Sequence, residues 1–410
     1  MARIWPLLAV EKPTLPRPSW QEVRRDLGIQ EIGVGLVALL FSASGAIAVI
    51  LQAASAGNLS GQQTASWIFG AFFGNGILTV LLTYLYRSPQ AYFWTIPGTV
   101  LVGDALTHLS FAEVIGAYLV TGLVVFTLGW SGLIGRIMTA LPPTIVMAMV
   151  AGIFLRFGLD LIGAARSAPI IALPMIAVFV ALSALPKLGK YAPPVAVAAV
   201  LGTLLALVTG EFSSGALANG IIAKPMLFRP EFSANSLIEL VIPLAITVVI
   251  VQNGQGTAVL SASRHHQGPN LSAAASGIWS ILVGVLGTSP TCLTGPTNAI
   301  ICSAPEPKRH YTAALVTGSG AILIGLLAPV MVGFMLAMPG AFIATLAGVA
   351  MLVPLKNAFV AAFSGAATTG ALVCFLVTVA NLTLLGITAP FWGLLFGCAT
   401  AAALDRKKLP

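Results

Sequence analysis

The tetrapeptide Leu-Val-Thr-Gly fills residues 119–122 and occurs again, unchanged, at residues 315–318. Two more pairs of similar segments keep the same order along the chain: Pro97-Gly98-Thr99 with Gly295-Pro296-Thr297-Asn298, and Ala140-Leu141-Pro142 with Ala337-Met338-Pro339. The offsets between the members of each pair run from 196 to 199 residues. Three ordered matches at nearly one spacing predict that the chain contains a duplicated unit.

The composition indicates that this duplicated unit lies in a membrane. Of 410 residues, 58% are hydrophobic and only 8% are charged, and the mean hydropathy is +0.97. A soluble domain carries about 25% charged residues. Inside a bilayer every backbone polar group must be paired within the protein, which favours helices. The net charge of +8 is spread over short loops with no basic run interleaved with aromatic residues, so we expect no nucleic-acid partner. A duplicated unit in an apolar helical chain is typical of secondary transporters.

Apolar segments long enough to cross a bilayer, or nearly so, number fourteen. The predicted spans lie near residues 30–52, 64–86, 92–106, 111–131, 141–158, 168–186, 193–210, 236–258, 270–288, 291–304, 311–333, 337–353, 357–379 and 383–403. They divide into a first repeat, 29–210, and a second repeat, 236–403, separated by a mixed-charge periplasmic connector, 211–235. The predicted fold is therefore an all-α polytopic membrane protein made of two seven-helix repeats.

Seven is an odd number, so the second repeat enters the membrane from the opposite side and the repeats are inverted. The loop charges agree with this topology. Of the 20 Lys and Arg residues, 16 fall in loops and tails on the side of both termini, and four fall on the other side. Because cytosolic loops carry the excess of positive residues, we expect the tails 1–28 and 404–410 to lie in the cytosol.

Spans 3 and 10 are short, and each is broken by proline and glycine. We expect each to be a short extended segment followed by a half-helix that begins inside the membrane, because proline is favoured at the first helical position. Unpaired N–H groups at such helix starts attract anions. The alternative is two ordinary proline kinks. The candidate site residues here are Tyr92, Trp94, Thr95, Pro97, Gly98 and Thr99 in span 3, and Thr294, Gly295, Pro296, Thr297 and Asn298 in span 10.

Spans 8 and 1 add uncharged polar residues at membrane depth. Gln252, Asn253 and Gln255 lie in span 8, where unpaired carboxamides are costly. They either satisfy one another and the neighbouring helices or donate to a bound carboxylate. Ser42, Ser44 and Gly45 occupy a roughly corresponding place in span 1, although serine hydroxyls in membrane helices often bond only to the preceding turn.

Two acidic residues are candidate proton carriers. Glu239 and Asp104 lie near the outer ends of spans 8 and 3, and an ionisable residue at membrane depth is a functional candidate. The alternative is that both are solvated ends of helices.

Other chemistry is not indicated by the sequence. The four cysteines lack Cys-x-x-Cys spacing, and His265, His266 and His310 are interpreted as solvated loop residues. We therefore expect no metal site, no cofactor and no enzymatic activity.

Residues 92–99, 252–256 and 294–298 resemble those of the bacterial benzoate:proton symporter (BenE) family, over about residues 20–400. That family is similar in fold to uracil permeases, sulfate permeases and bicarbonate exchangers. The resemblance implies a core domain of spans 1–4 and 8–11, a gate domain of spans 5–7 and 12–14, and substrate between spans 3 and 10. The chain departs from uracil permeases, which carry glutamates in spans 8 and 10. In this chain span 8 carries Gln252, Asn253 and Gln255 instead, and span 10 carries Thr297 with Asn298. This difference disfavours a nucleobase substrate.

The resulting prediction is an inner-membrane symporter that imports benzoate or a similar aromatic carboxylate with a proton, with a homodimer left open. The aromatic ring is expected near Tyr92, Phe93 and Trp94. The carboxylate is expected at the backbone amides of Gly98-Thr99 and Thr297-Asn298 together. The first alternative is an exchanger or uniporter for another anion on the same fold. The second is a membrane receptor or an intramembrane enzyme, which would need a catalytic dyad or metal cluster that the sequence does not indicate.

Overall fold

The computed structural model describes residues 10–44, 46–134, 142–185, 194–213, 220–265, 268–382, 384 and 389–405. Gly45 and the tail 406–410 lie outside the described residues. The first part of the chain forms α1 (Trp20–Asp26), α2 (Ile29–Ser44), α3 (Ala46–Ala56), α4 (Gly61–Tyr86), β1 (Tyr92–Trp94), α5 (Ile96–Ala105), α6 (Phe111–Ser131), α7 (Pro143–Ser167), α8 (Pro169–Ala184) and α9 (Pro194–Val208).

The remaining elements are α10 (Ala234–Ala262), α11 (Pro269–Gly284), β2 (Thr291–Leu293), α12 (Gly295–Ile301), α13 (His310–Leu326), α14 (Ala328–Leu336), α15 (Gly340–Phe363), α16 (Thr368–Val379) and α17 (Ala389–Leu404). Helix α4 contains a π-helical turn at Gly70–Gly74, and α10 contains two, at Leu237–Val241 and Thr247–Asn253. Such turns are rare and occur frequently at functional sites.

Within the described ranges, six helical segments are long and apolar enough to cross a membrane, or seven if the bent pair α13–α14 counts as one. The axes of that pair meet at 66°, at Leu327, two residues before Pro329. The two short strands are hydrogen-bonded to each other in an antiparallel ladder. The expected extended segments before the two half-helices are therefore present.

Several predicted helix boundaries were wrong. The fifth span was expected to end at residue 158, whereas α7 continues to Ser167. The expected loop between 353 and 357 lies inside helix α15, which runs on to Phe363 and accommodates Pro354 within it. The break comes instead at residues 364–367, where Ala367 adopts a left-handed φ of 60°. The predicted first span ended at residue 52, whereas α3 continues to Ala56. Glycines rather than a change in apolar periodicity mark the ends of α3 and α15, since Gly57 directly follows α3 and Gly365 lies in the break after α15.

The repeated tetrapeptide has a structural role that is the same in both copies. Its last residue packs against the backbone of a glycine on a neighbouring helix: Gly122 of α6 against Gly277 of α11, and Gly318 of α13 against Gly76 of α4. A Cβ added to Gly277 would lie 2.2 Å from the backbone nitrogen of Phe126, and one added to Gly76 would lie 2.7 Å from the carbonyl oxygen of Gly318. Small residues allow membrane helices to approach this closely.

A second group of helices packs mainly within itself. Helix α7 lies against α15 and α16, α16 against α17, and α8 against α9. Their shared core includes Ile145, Met149, Phe342 and Cys374, all fully buried. This group meets the elements that carry the strands along α7, which lines a cavity with α10.

Candidate functional site

The two strands form the centre of the candidate site. Tyr92 pairs with Leu293, Phe93 with Cys292, and Trp94 with Thr291. The ladder is extended at both ends, since Thr95 N donates to Pro290 O at 2.9 Å and Thr294 N donates to Ala91 O at 3.1 Å. Each strand is followed after one residue by a helix, so the N-terminal ends of α5 and α12 both face the ladder.

Hydroxyl groups from the neighbouring helices support the first residue of each strand. Thr79 Oγ1 on α4 accepts from Tyr92 N at 2.9 Å and donates to Tyr92 O at 3.1 Å. Ser280 Oγ on α11 accepts from Thr291 N at 2.9 Å. These groups replace partners that a third strand would otherwise provide, because an isolated two-stranded ladder is marginally stable.

The side chains of Asn298 and Asn253 use most of their hydrogen-bonding groups on the backbone of the two strands and the residues beside them. Asn298 is fully buried, and its Oδ1 accepts from Ala91 N at 2.9 Å while its Nδ2 donates to Ala91 O and Thr294 O. Asn253 Oδ1 accepts from Leu293 N at 2.7 Å. Asn253 Nδ2 is buried and has no hydrogen-bond partner among the described residues. Asn298 therefore positions β1, whereas Asn253 positions β2 and keeps one donor free.

The aromatic residues of β1 belong to the protein core. Phe93 and Trp94 are each 2% exposed and make edge contacts with Phe72, and Tyr92 packs with Leu78, Leu260 and Leu293. The expectation that a substrate ring lies among these side chains is not supported, because their faces are already covered by the protein.

The first turn of α5 is closed by its own side chains. Thr95 Oγ1 accepts from Gly98 N at 3.2 Å, and Thr99 N donates to Thr95 O at 2.9 Å. Thr99 Oγ1 donates to Thr95 O and lies 2.7 Å from Ser289 Oγ. A Cβ on Gly98 would lie 2.4 Å from Thr95 Cγ2. Gly98 therefore makes room for the threonine cap, and the expected approach of a ligand to the Gly98 and Thr99 amides is blocked.

The start of α12 is more open. Thr294 provides no side-chain cap, and the backbone N–H groups of Gly295 and Thr297 have no hydrogen-bond acceptor among the described residues. Pro296 has no N–H to pair. Thr297 Oγ1 lies 2.8 Å from Ser42 Oγ of α2, and Ser42 Oγ donates to Ala38 O at 2.9 Å. Two orphaned backbone donors and a hydroxyl pair thus meet at this helix end.

A cavity of about 240 Å³ lies between α7 and α10 and is connected to this open end through the Gln255 side chain. Its wall is apolar apart from one carboxamide, that of Gln255, and its lining residues are Pro143, Val146, Met147, Ile250, Val251 and Gln255. Gln255 lies directly over Gly295, because a Cβ on Gly295 would be 2.4 Å from Gln255 Cγ. Gln252, one turn earlier, is 8% exposed. The cavity has room for a small ring with a polar group at one end.

The two helix ends are too far apart to share one carboxylate. Thr95 is opposite Pro290 and Thr294 is opposite Ala91, so four strand residues, roughly 13 Å, separate the two caps along the ladder. This corrects the expectation that one carboxylate contacts Gly98-Thr99 and Thr297-Asn298 together. Helix α12 also has only seven residues. An anion at its start would therefore be held by hydrogen-bond donors rather than by a large helix dipole.

The two acidic candidates have different surroundings. The Glu239 side chain on α10 is fully buried, and its Oε2 lies 3.0 Å from Nε2 of His108, which is 38% exposed. Glu239 Oε1 has no hydrogen-bond partner among the described residues. Asp104 instead forms an exposed ion pair with Arg156 at 3.1 Å. Glu239 is therefore not a solvated residue at a helix end. Asp104, in contrast, has the solvent-accessible ion pair that is typical of such a residue.

Comparisons with known proteins give the family. A family model described as "Benzoate membrane transport protein" matches residues 25–403. The chain belongs to this family. It is 29% identical over 371 residues to the inner membrane protein YdcO of Escherichia coli (strain K12), covering 88% of this chain and 93% of that protein. It is 27% identical over 393 residues to the benzoate membrane transport protein of Acinetobacter baylyi, covering 94% and 98% of the two chains.

Solved structures show the same fold. The transmembrane domain of the cyanobacterial bicarbonate transporter BicA matches with a TM-score of 0.61 at 17% identity, covering 93% of this chain and 99% of that chain. SLC26A9 matches with a TM-score of 0.62 at 14% identity, covering 92% of this chain and 65% of that one. The chain is thus a polytopic membrane transporter with an SLC26- and BicA-like fold, and the prediction that it is not an enzyme is confirmed.

Replacing Asn298 with alanine should destabilise the protein rather than only weaken ligand binding. The substitution leaves the buried N–H of Ala91 unpaired, which should cost about 1–3 kcal/mol of the free energy of unfolding. Denaturant or thermal unfolding in detergent measures this loss. The exposed carboxamide of Gln62 provides the control, since Gln62→Ala should change stability by less than about 0.5 kcal/mol. Wild-type stability in Asn298→Ala, combined with lost ligand binding, would instead assign Asn298 to the ligand.

Proposed function

We propose that this protein imports benzoate or a similar aromatic carboxylate together with a proton. The observation that carries the proposal is the open start of α12, where the unpaired donors of Gly295 and Thr297 lie beside Gln255 and an apolar cavity. In this arrangement the aromatic ring occupies the cavity between α7 and α10. The carboxylate accepts hydrogen bonds from the backbone N–H groups and from the Gln255 carboxamide.

The chemistry of the site suits a monoanion with an apolar body. Hydrogen bonds to a charged acceptor are stronger than those between neutral groups, so neutral donors can hold one carboxylate without a lysine or arginine. The free Nδ2 of Asn253 supplies a further donor close to β2. The cavity volume of about 240 Å³ is below the range of about 300–1,000 Å³ that is typical of sites for drug-sized ligands, which favours a single small ring.

We also infer fourteen membrane crossings in two inverted repeats. In the described residues, six long helical segments, the bent pair α13–α14 and four shorter apolar helices make eleven crossings. Helix α11 and the two strand–helix segments bring the number to fourteen. The antiparallel ladder and the matching glycine contacts of residues 122 and 318 support the inversion. In this proposal both termini lie in the cytosol, and the membrane is the inner one.

The same packing supports a division into two moving parts. The core domain comprises spans 1–4 and 8–11, which carry the ladder, and the gate domain comprises spans 5–7 and 12–14, which pack mainly on one another. The cavity lies where α7 of the gate domain meets α10 of the core domain. Movement of one part against the other would then expose the cavity to either side of the membrane in turn, as in other transporters built from repeats. A homodimer stays a prediction.

Binding of benzoate and of its neutral isostere benzamide tests the anion site. Benzoate should bind the purified protein at least ~10-fold more tightly, because charge-assisted hydrogen bonds are worth about 1.5–3 kcal/mol each. Gln255→Ala should weaken benzoate binding by about 1.5–3 kcal/mol, because one hydrogen bond to the carboxylate is lost. The surface substitution Gln62→Ala should leave the affinity unchanged. Isothermal titration calorimetry provides the affinities. Equal affinity for benzamide and benzoate would contradict an anion site of this kind.

Uptake driven by a pH gradient tests Glu239 as the proton carrier. A buried carboxylate on a membrane helix is the expected site of proton binding, and His108 connects it to the surface. Glu239→Gln in proteoliposomes should abolish gradient-driven accumulation but preserve exchange of benzoate for benzoate. Asp104→Asn removes a carboxylate that is already paired with Arg156 and is only partly buried, so it should keep gradient-driven accumulation. Accumulation lost in Asp104→Asn and retained in Glu239→Gln would reverse the assignment.

A further inference from the structure

Two histidines and a cysteine meet at one end of the helices that carry the site. His265 follows α10, Cys302 follows α12 and His310 begins α13. One ring nitrogen of each histidine and the cysteine Sγ all lie within 4.8 Å of one another. His310 is only 2% exposed, and the other two side chains are half-buried. The interpretation of His265, His266 and His310 as solvated loop residues was therefore wrong for His310, and His266 lies outside the described residues. The sequence separations of 37 and 8 residues between the three members did not indicate the cluster.

The hydrogen bonds of His310 prepare it to bind a metal ion. Its Nε2 lies 2.8 Å from the carbonyl oxygen of Ala304. A carbonyl can only accept, so Nε2 carries the hydrogen and Nδ1 presents a lone pair to His265 and Cys302. Histidines that bind metal ions almost always donate their other N–H to a carbonyl or carboxylate in this way.

The spacing of the donor atoms is close to that of a tetrahedral metal site. Nε2 of His265 and Nδ1 of His310 are 3.0 Å apart. Zinc–nitrogen bonds of about 2.0–2.1 Å at a tetrahedral angle place two nitrogens about 3.3 Å apart. A shift of a few tenths of an ångström would thus turn the histidine–histidine hydrogen bond into two metal bonds. Imidazole and thiolate together are ligands that suit zinc.

One residue of the cluster borders a second cavity. His265 lines this cavity of about 230 Å³, together with Glu11, Tyr86, Arg87 and Arg264. This cavity lies where residues 11–15 and the loop after α4 meet the end of α10 and the start of α11. The Glu11 carboxylate accepts from Asn270 N and Leu271 N there. Arg264 and Arg309 are sequence neighbours of the two histidines. A cysteine thiolate offsets part of this positive charge when it binds a dication.

We propose that His265, Cys302 and His310 form a zinc-binding site on the predicted cytosolic side, with water as the fourth ligand. The bound ion links the end of α10 and the end of α12 to the start of α13. Because α10 carries Gln255 and α12 carries Thr297, the ion joins a helix that lines the cavity to the helix that carries the unpaired donors. Metal ions that bind only the folded state stabilise it, so zinc should raise the unfolding temperature of the protein.

Cobalt binding to the tag-free, detergent-purified chain tests the proposal directly. One Co²⁺ per chain should bind and give a thiolate-to-cobalt charge-transfer band. The band should disappear when Zn²⁺ displaces the cobalt. Cys302→Ser should remove that band and weaken zinc binding by more than the roughly 10–100-fold that loss of an outer-shell partner costs. Cys398→Ser is the matched control, since Cys398 is a half-buried free cysteine elsewhere in the fold, and it should bind cobalt like the wild type.

A second measurement needs no variant and so does not depend on the folding of Cys302→Ser. Zinc should slow the alkylation of Cys302 by N-ethylmaleimide in the wild-type protein, as followed by mass spectrometry of its peptide, and should leave the rate at Cys398 unchanged. Absence of the charge-transfer band at one equivalent of cobalt would overturn the proposal. So would an alkylation rate of Cys302 that zinc does not alter. Neither result would bear on benzoate transport.

Discussion

Backbone pairing between two three-residue strands, in the middle of a helical protein, determines where the two half-helices of the candidate site begin. The ladder holds Phe93 opposite Cys292, and each strand leads directly into a half-helix. Thr79, Ser280, Asn253 and Asn298 occupy the strand edges that have no further strand to pair with. Because buried backbone groups in a membrane must be paired within the protein, these four side chains are required by the broken spans.

The glycines of the duplicated tetrapeptide help to position the groups that support the broken spans. The glycine that ends each Leu-Val-Thr-Gly copy lets two helices touch backbone to backbone, Gly122 with Gly277 and Gly318 with Gly76. The same helices, α11 and α4, present Ser280 and Thr79 to the strands one turn further along. Close helix contact thus places the hydroxyl groups at the ladder, and a larger residue at these glycines would move them away.

Much of the fold was predictable because its signals are local. The proline–glycine breaks near 97 and 296 predicted the extended segments and half-helices, and the apolar runs predicted most helices. The roles of individual side chains were not predictable, because polar residues at membrane depth have the same sequence signature whether they bind a ligand or a backbone. Asn298 turned out to hold Ala91, and the first turn of α5 is closed by Thr95. The cluster of His265, Cys302 and His310 depends on tertiary contacts between three separate helix ends.

We propose that an aromatic carboxylate binds at the open start of α12, with its ring between α10 and α7. A crystal structure of the protein with 4-bromobenzoate tests this binding mode, because the anomalous scattering of bromine gives the position of the ring. We expect the bromine in the cavity beside Val146, Met147 and Ile250, and the carboxylate within hydrogen-bonding distance of Gly295 N or Thr297 N. A carboxylate bound at the start of α5, or held by a lysine or arginine elsewhere, would rule out this binding mode.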